Sequence, residues 1–350
     1  MSRHRTPGPV SMRLFAFCLP LVVAAQSAAA QAVDSVRAQH PPATMAGRSP
    51  VYAPNGAAAT SQPLATSAAI DVLQHGGNAI DAAVTAAAVL SVVEPMMTGI
   101  GGDMFAVVWS AKDKRLYGLN ASGRAGARMT REELVRRGRT TSVERGPESV
   151  TVPGALAGWQ TLLQRFGTRT LAQALQPAIR YAESGFPVTP VIAGDWGSAE
   201  PMAKDPGMKQ TFLLDGSRVP RAGEWFRNPM YARTLRQIST HGPRYLYDGP
   251  LGAQIVNYLR QRGGFLTMDD LRQNRPTWVT PISVDFKGYR IWELPPNNQG
   301  VAVLEMLRIL GSYDLAALGH NSPRYLHLLI EAKKLAYADL ARYVGDPDHL

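Results

Sequence analysis

The spacing of apolar residues along the chain predicts a protein of helices with a smaller number of strands. Helical spacing occurs at 64–74, 79–93, 155–166, 171–184, 230–240, 252–262, 301–310 and 323–343. Runs typical of strands occur within 51–60, at 104–110, 115–120 and 149–152, and twice between 282 and 294. An isolated hairpin is only marginally stable in water. Because the chain has so few predicted strands, we expect further polypeptide to complete its sheet.

The helix predicted at 79–93 has the clearest start signal in the chain. Asn78 is a typical N-cap residue, and Asp81, three positions later, can bond back to its amide. Pro95 limits the helix at its far end. Because alanines dominate this segment, we expect a buried helix that packs closely against its neighbours.

Residues 1–32 have the three parts of a secretory signal peptide. Three arginines among the first 13 residues precede an apolar run at 14–25, and small residues follow at 27–32. A run of about a dozen apolar residues is too short to cross the hydrocarbon core of a bilayer. We therefore expect cleavage after Ala30 or Ala32 and no stable membrane anchor.

Residues 33–48 follow this leader and contain Pro41 and Pro42, a composition typical of a linker. The folded region is expected at 49–350. The single cysteine, Cys18, lies in the leader, so the mature protein would depend on core packing without disulfides. A periplasmic or secreted protein fits this composition.

Charge adds little to this picture. The chain carries 37 basic and 27 acidic residues, a net charge of +10, which could attract nucleic acid. The cluster Arg136-Arg137-Gly138-Arg139 contains no aromatic residue, and the sequence has no nucleic-acid-binding motif. We interpret the charge as a scattered surface excess and expect no nucleic-acid partner.

The glycine-rich segment at 99–102 follows a predicted helix and precedes a predicted strand. A phosphate-binding loop has the opposite order, because the amides at a helix N-terminus must face the phosphate. Two interpretations remain open. The glycines form a tight turn with positive φ, or they leave the backbone bare for close approach by a substrate or a neighbouring strand.

The usual catalytic and metal-binding motifs are not evident. Pro323 separates the nearest histidines, His320 and His327, so they lack the spacing of a zinc site. No Gly-x-Ser-x-Gly elbow occurs, and cleavage of the leader would remove the only thiol. We expect no metal or cofactor, and we assign no catalytic residue within this chain.

Several short segments, ordered along residues 49–350, together carry a family resemblance. They are residues 76–84 and 99–105, Val152-Pro153-Gly154 with Gly158, Gly263-Gly264 with Thr267 and Asp270-Leu271, Pro281-Ile282, Gly288-Tyr289, Pro295-Pro296 with Gly300, Glu331-Ala332, residues 336–339, and Gly345-Asp346-Pro347. This ordered set resembles the large subunit of the γ-glutamyltransferase family.

The resemblance implies an α+β fold, the αββα sandwich of the N-terminal-nucleophile hydrolases, made from a precursor that cuts itself into two subunits. The family nucleophile is the threonine that begins the small subunit, and its own amine serves as its base. The acyl group passes to this threonine and then to water, an amino acid or a peptide. The resemblance places that threonine after Leu350, so this chain alone is expected to be inactive and its sheet incomplete.

The family also holds the α-carboxylate of the γ-glutamyl group with an arginine just after its hairpin. The matching stretch here runs from Asn120 to Gly126, and the position of that arginine holds Ser122. Arg124 lies two residues further on, about 6.6 Å along a strand on the same face, so its long side chain could still reach. We predict Arg124 and Ser122 as substrate-binding residues, with a surface or interdomain role for Arg124 as the alternative. Asp103, where the family usually has glycine, is a second departure.

Three functions stay open at this point. The first is a γ-glutamyl hydrolase or transferase acting on glutathione-like amides, and the second is an acylase of the same fold with another acyl group. The third is a non-catalytic binding or structural protein. The first is preferred because the resemblance extends over the whole folded region.

Overall fold

The computed structural model describes residues 51–141, 145–200 and 204–346, so the predicted leader at 1–32 and linker at 33–48 lie outside the described residues. All the elements named below belong to one compact unit that begins at Gly56. The helices are α1 (Pro63–Gln74), α2 (Ala79–Val93), α3 (Arg131–Arg136), α4 (Ala155–Phe166), α5 (Leu171–Ala174), α6 (Gln176–Ser184), α7 (Pro190–Ala199), α8 (Pro206–Phe212), α9 (Pro229–His241), α10 (Arg244–Tyr247), α11 (Pro250–Arg260), α12 (Met268–Gln273), α13 (Gly300–Leu310) and α14 (Pro323–Tyr343). The strands are β1 (Met104–Ser110), β2 (Arg115–Ala121), β3 (Phe186–Pro187), β4 (Trp225–Phe226), β5 (Thr277–Val279), β6 (Ile282–Phe286) and β7 (Tyr289–Glu293).

Helix α2 lies at the centre of the main core, as its alanine-rich sequence predicts. Its small side chains allow close packing against α1, α4 and α6. Ala88, Val89 and Val93 are fully buried, and the core continues through Leu235 and Ile238 of α9.

The predicted capping box of α2 is confirmed. The Asn78 side chain accepts from the amides of Ile80 and Asp81, and the Asp81 carboxylate accepts from the Asn78 amide at 2.8 Å. Asp81 is also fully buried, and it accepts from the Thr168 amide at 2.9 Å, the Thr168 hydroxyl at 2.6 Å and the Arg169 amide at 3.0 Å. This one carboxylate therefore joins the start of α2 to the loop after α4.

These hydrogen bonds decide the charge state of Asp81. Burial alone would raise the pKa of its carboxyl, but the Thr168 hydroxyl and the amides of Asn78, Arg169 and Thr168 together hold the pKa below its usual value. Asp81 therefore remains ionised at neutral pH and stabilises the fold as an anion.

The predicted hairpin is confirmed and gains a third strand. Strands β1 and β2 pair antiparallel with Met104 opposite Ala121 and Ser110 opposite Arg115. Strand β5, which the sequence pattern did not predict, pairs with the other edge of β2, placing Thr277 opposite Asn120. It is only three residues long and follows Pro276, so its pattern is too short to be recognised.

Strand β1 is one of the two edge strands of this sheet among the described residues. Its Met104, Ala106 and Val108 side chains pack against the main core. On the opposite face Phe105, Val107 and Trp109 are 40%, 46% and 60% exposed. A strand that is apolar on both faces is typical of a sheet covered on both sides, so this face has the composition of an interior surface.

The C-terminal part of the unit is less well packed. Strands β6 and β7 form the predicted hairpin around Lys287-Gly288, and α13 packs on it and on α14. In the 21 residues of α14 only Ala332 and Ala336 are buried. No helix among the described residues combines the length and the apolar character needed to cross a membrane.

Three predicted elements are corrected by the structure. Residues 51–60 form no strand, and they include Pro54, which has no amide hydrogen for a ladder. Residues 149–152 begin in the 3₁₀ turn Pro147–Ser149 instead of a strand. The single helix predicted at 171–184 divides at Leu175, because Pro177 opens a new helix and has no amide to continue the preceding one.

Candidate functional site

The two predicted site residues follow directly on strand β2. Ser122 and Arg124 lie in the short segment between the end of the strand and α3. Among the described residues no hydrogen bond joins their side chains, and each engages a different part of the fold. The structure brings Ser122 together with residues that the sequence analysis did not assign.

Ser122 belongs to a closed ring of three hydrogen bonds. Its hydroxyl donates to Asn120 Oδ1 at 2.8 Å, Asn120 Nδ2 donates to Asn297 Oδ1 at 2.7 Å, and Asn297 Nδ2 donates back to the Ser122 hydroxyl at 3.0 Å. The Ser122 amide also donates to Asn120 Oδ1 at 3.0 Å. We call these three residues the amide ring. It is uncharged, with Asn297 exposed and Asn120 and Ser122 half-buried.

Arg124 turns toward the C-terminal end of the described residues. Its Nη1 lies 3.6 Å from Asp346 Oδ2, with the two side chains 69% and 44% exposed. An ion pair so open to water contributes little stability. The backbone of Arg124 is held more firmly, because its carbonyl accepts from the Val152 amide at 2.9 Å.

Glycines hold this segment against the start of α4. A Cβ on Gly123 would lie 1.4 Å from the Val152 carbonyl oxygen, and one on Gly154 would lie 1.9 Å from the Ala121 carbonyl oxygen. A Cβ on Gly158, one helical turn later, would lie 2.7 Å from Ala121 Cβ and 2.7 Å from Met104 Sδ. The backbone at the end of β2 and the backbone before α4 therefore touch here, which explains glycine at these positions and fixes the amide ring relative to α4.

The glycine-rich turn at 99–102 lies beside this contact. The Gly102 amide donates to the Gly99 carbonyl at 3.1 Å, and the Gly102 carbonyl accepts from the amides of Gly154 and Ala155 at the start of α4. The turn is confirmed, but positive φ is not, since none of its glycines lies in that region. Cβ atoms at Gly99 and Gly101 would meet nothing within 4 Å among the described residues. Asp103 follows the turn, and its carboxylate accepts from the Gly123 amide at 3.3 Å.

Two further turns complete the surroundings of the site. Asn298 Oδ1 accepts from the Gly300 amide at 2.7 Å, and this turn before α13 presents Asn297 to the amide ring. On the other side, Asp270 accepts from the Ala127 amide at 2.9 Å and from the Thr267 amide and hydroxyl. Burial raises the pKa of Asp270, but the bonds from Thr267 and Ala127 outweigh it and lower the pKa overall. The segment after β2 is thus anchored at both ends.

This geometry can be compared with known proteins. The family model of γ-glutamyltranspeptidase matches residues 65–350. The chain belongs to the γ-glutamyltranspeptidase family. Its fold is accordingly the α+β fold of the N-terminal-nucleophile hydrolases, as the resemblance implied.

The similar proteins include both glutathione hydrolases or γ-glutamyltranspeptidases and acylases. The glutathione hydrolase-like YwrD proenzyme of Bacillus subtilis is 37% identical over 286 residues, which cover 81% of this chain and 54% of the relative. A γ-glutamyltranspeptidase structure from Helicobacter pylori superposes with a TM-score of 0.80 at 32% identity, covering 86% of this chain and 88% of that one. A cephalosporin acylase structure from Bacillus halodurans gives a TM-score of 0.79 at 42% identity, covering 89% and 59%. The chain spans about half the length of the curated relatives it matches.

Sequence reasoning missed Asn297 and gave Asn120 no role. Asn297 is 175 positions from Ser122, and no spacing rule connects them. The available signal was Pro295-Pro296 followed by Asn297-Asn298, a turn composition within one of the segments that carry the family resemblance. Its polar side chains could have been marked as loop residues with a binding role.

Proposed function

We propose that the full-length protein is a γ-glutamyl hydrolase or transferase that acts on glutathione-like amides. This chain supplies the wall that holds the acyl group, and a small subunit cut from the same precursor supplies an N-terminal threonine nucleophile. The amide ring carries this proposal. It gathers hydrogen-bonding groups around Ser122, the residue that the family resemblance aligns with the arginine that holds the acyl group.

The chemistry follows from the implied nucleophile. The threonine hydroxyl attacks the amide carbonyl while its own amine takes the hydroxyl proton, and the leaving amine departs with that proton. An ester between the acyl group and threonine remains. Water resolves it in hydrolysis, and an amino acid or peptide amine resolves it in transfer.

The open face of β1 supports a second subunit. Phe105, Val107 and Trp109 would be covered if another layer packed there. The proposal also includes removal of the leader at 1–32, a linker at 33–48 and a periplasmic or secreted location. The relative in Bacillus subtilis is itself named a proenzyme, which agrees with a self-cleaving precursor.

A second candidate is an acylase of the same fold that prefers a different acyl group. Ser122 stands where the resemblance places an arginine, and Arg124 contacts Asp346 instead of the amide ring. The likeness to a cephalosporin acylase at 42% identity also favours this candidate. The two candidates share the fold and the nucleophile, and they differ in the acyl group.

Both candidates are tested with the full-length protein and two chromogenic donors. γ-Glutamyl p-nitroanilide and glutaryl p-nitroanilide differ only by the α-amino group. Faster turnover of the γ-glutamyl donor supports the first candidate, and faster turnover of the glutaryl donor supports the acylase. A protein that forms two subunits and hydrolyses neither donor would contradict the proposed function.

Arg124 is tested in the same assay. If its guanidinium holds the donor carboxylate, Arg124→Ala should lower kcat/KM by a factor equivalent to about 2–5 kcal/mol, the cost of removing a buried charged partner. Arg124→Lys keeps the charge but loses the planar fork, so it should raise KM. Arg131→Ala, an exposed arginine at the start of α3, is the matched control and should behave as wild type. Unchanged kinetics in Arg124→Ala would remove Arg124 from the site.

A further inference from the structure

The bonds within the amide ring leave part of its hydrogen-bonding capacity unused, and the unused groups include two N–H donors. Asn120 Oδ1 already accepts from both the hydroxyl and the amide of Ser122, and Asn297 Oδ1 accepts from Asn120 Nδ2. Each side-chain amide nitrogen carries two hydrogens and donates one of them within the ring. Among the described residues, one N–H of Asn120 and one of Asn297 therefore remain available to a ligand.

The surrounding elements hold the three residues of the ring in place. Asn297 is exposed and reaches the ring from the turn before α13, while β5 holds Asn120 on the other side through the Thr277 pairing. The close backbone contacts at Gly123 and Gly154 fix Ser122 in place. The donors are thus preorganised, and little order is lost when they bind.

We propose that Asn297 is a specificity-determining residue and that, with Asn120, it binds the far end of the acyl group through two neutral N–H donors. The inference rests on the proposed function, because it assigns the acyl subsite of that same reaction. The ligand class is an acyl group that ends in a hydrogen-bond acceptor, either a carboxylate or a carboxamide. A subsite built on arginine would instead select strongly for the carboxylate, since a guanidinium gains most from a full negative charge.

Three acyl-donor substrates of matched shape distinguish a subsite of neutral N–H groups from a subsite built on arginine, in assays of the full-length protein. They are glutaryl p-nitroanilide, its terminal carboxamide, and the analogue in which an isopropyl group replaces the carboxylate. The wild-type protein should use the first two within tenfold of each other and the third more slowly. Asn297→Ala should lower kcat/KM at least tenfold for the first two, mainly through KM, and leave the third within twofold.

Asn297→Asp gives a sharper test, because it replaces a donor with a charged acceptor of the same shape. It should lower kcat/KM for the carboxylate more than for the carboxamide, which can donate to the new carboxylate. Gln299→Ala is the matched control, since Gln299 is exposed in the same turn and makes no side-chain capping bond to α13. The isopropyl donor reports whether each variant is correctly folded.

Other outcomes would overturn the inference or the proposed function. An equal loss on all three donors in Asn297→Ala would overturn the inference, because a residue that only supports the turn would produce it. If the wild-type protein hydrolyses neither these three donors nor γ-glutamyl p-nitroanilide, the proposed function fails, and titration with glutarate decides the inference separately. Binding that Asn297→Ala weakens at least tenfold would support the subsite, and the absence of binding would overturn it.

Discussion

The helices between residues 63 and 247 and the elements after residue 277 belong to the same compact unit, but they bury their apolar residues to different degrees. In the first region, α2, α6 and α9 contribute side chains to a continuous core, with Ala88, Leu235 and Ile238 fully buried. In the second region, Leu326, Ile330 and Tyr337 recur at helical spacing along α14 and are all exposed. The first region, which we call the finished region, buries its apolar side chains within this chain. The second, which we call the open region, leaves apolar side chains exposed, as a core does when a covering layer is missing.

The difference bears on how the amide ring is held in place. Asn120, Ser122 and Gly123 are held by β2 and by α4, a helix of the first region. Asn297 comes from the turn before α13, in the open region. The amide ring therefore joins the two regions, and a partner that orders the open region would also order the site.

Gly154→Ala, in the finished region, is expected to cause the largest loss of stability. Its new Cβ would lie 1.9 Å from the Ala121 carbonyl oxygen, so α4 must move away from β2. We expect a loss of at least about 4 kcal/mol in the free energy of unfolding, measured by urea denaturation. Gly101→Ala is the control, because its Cβ would meet nothing within 4 Å, and it should change stability by less than about 0.5 kcal/mol.

Asp81→Ala should come next in size. The change leaves buried donors of Thr168 and Arg169 without an acceptor, and each such group costs about 1–3 kcal/mol, so we expect a loss of about 3 kcal/mol. The pKa of Asp81 is depressed in the folded state, so its contribution is present above the unfolded pKa and lost as pH falls through the folded value. The gap between wild type and Asp81→Ala should therefore narrow in strong acid. Asp71→Ala, an exposed carboxylate on α1, should show no comparable gap.

Ile330→Ser sharpens the comparison in the open region. In residues 33–350 alone, Ile330 is exposed and the change should alter the melting temperature by less than 1 °C, since surface substitutions cost little. In the full-length protein a covering layer would bury it, and the same change should cost about 1–3 kcal/mol. Equal effects in both forms would contradict a layer over α14.

The smallest effect is expected at the contact between α13 and α14. Burial raises the pKa of Glu305, and the hydrogen bond that its protonated carboxyl donates to the Asp339 carboxylate and the negative charge on Asp339 raise it further. A raised folded pKa means that its stabilising contribution is full below the unfolded pKa and is lost as pH rises through the folded value. Glu305→Gln should therefore raise the melting temperature slightly at pH 7 and have less effect at pH 4. A larger gain at pH 4 than at pH 7 would contradict this assignment.

Local sequence signals predicted the parts of the fold that depend on neighbouring residues. The capping box of Asn78 and Asp81 and the bounds of α14 follow from short-range chemistry, and the structure confirms them. Strand β5 was missed because its existence depends on β2, about 160 positions earlier. The amide ring was missed for the same reason, since Asn297 and Ser122 meet only through the tertiary fold. The roles of Ser122 and Arg124 remain predictions that the assays above address.

Amide hydrogen exchange tests most directly the claim that this chain is one part of a larger sandwich. Exchange would be followed by mass spectrometry in residues 33–350 alone and in the full-length protein. We predict that amides of β1 and α14 exchange at least tenfold more slowly in the full-length protein, while those of α2 and α9 are unchanged, because only the open surfaces gain a cover. Identical exchange of β1 and α14 in the two forms would contradict the account.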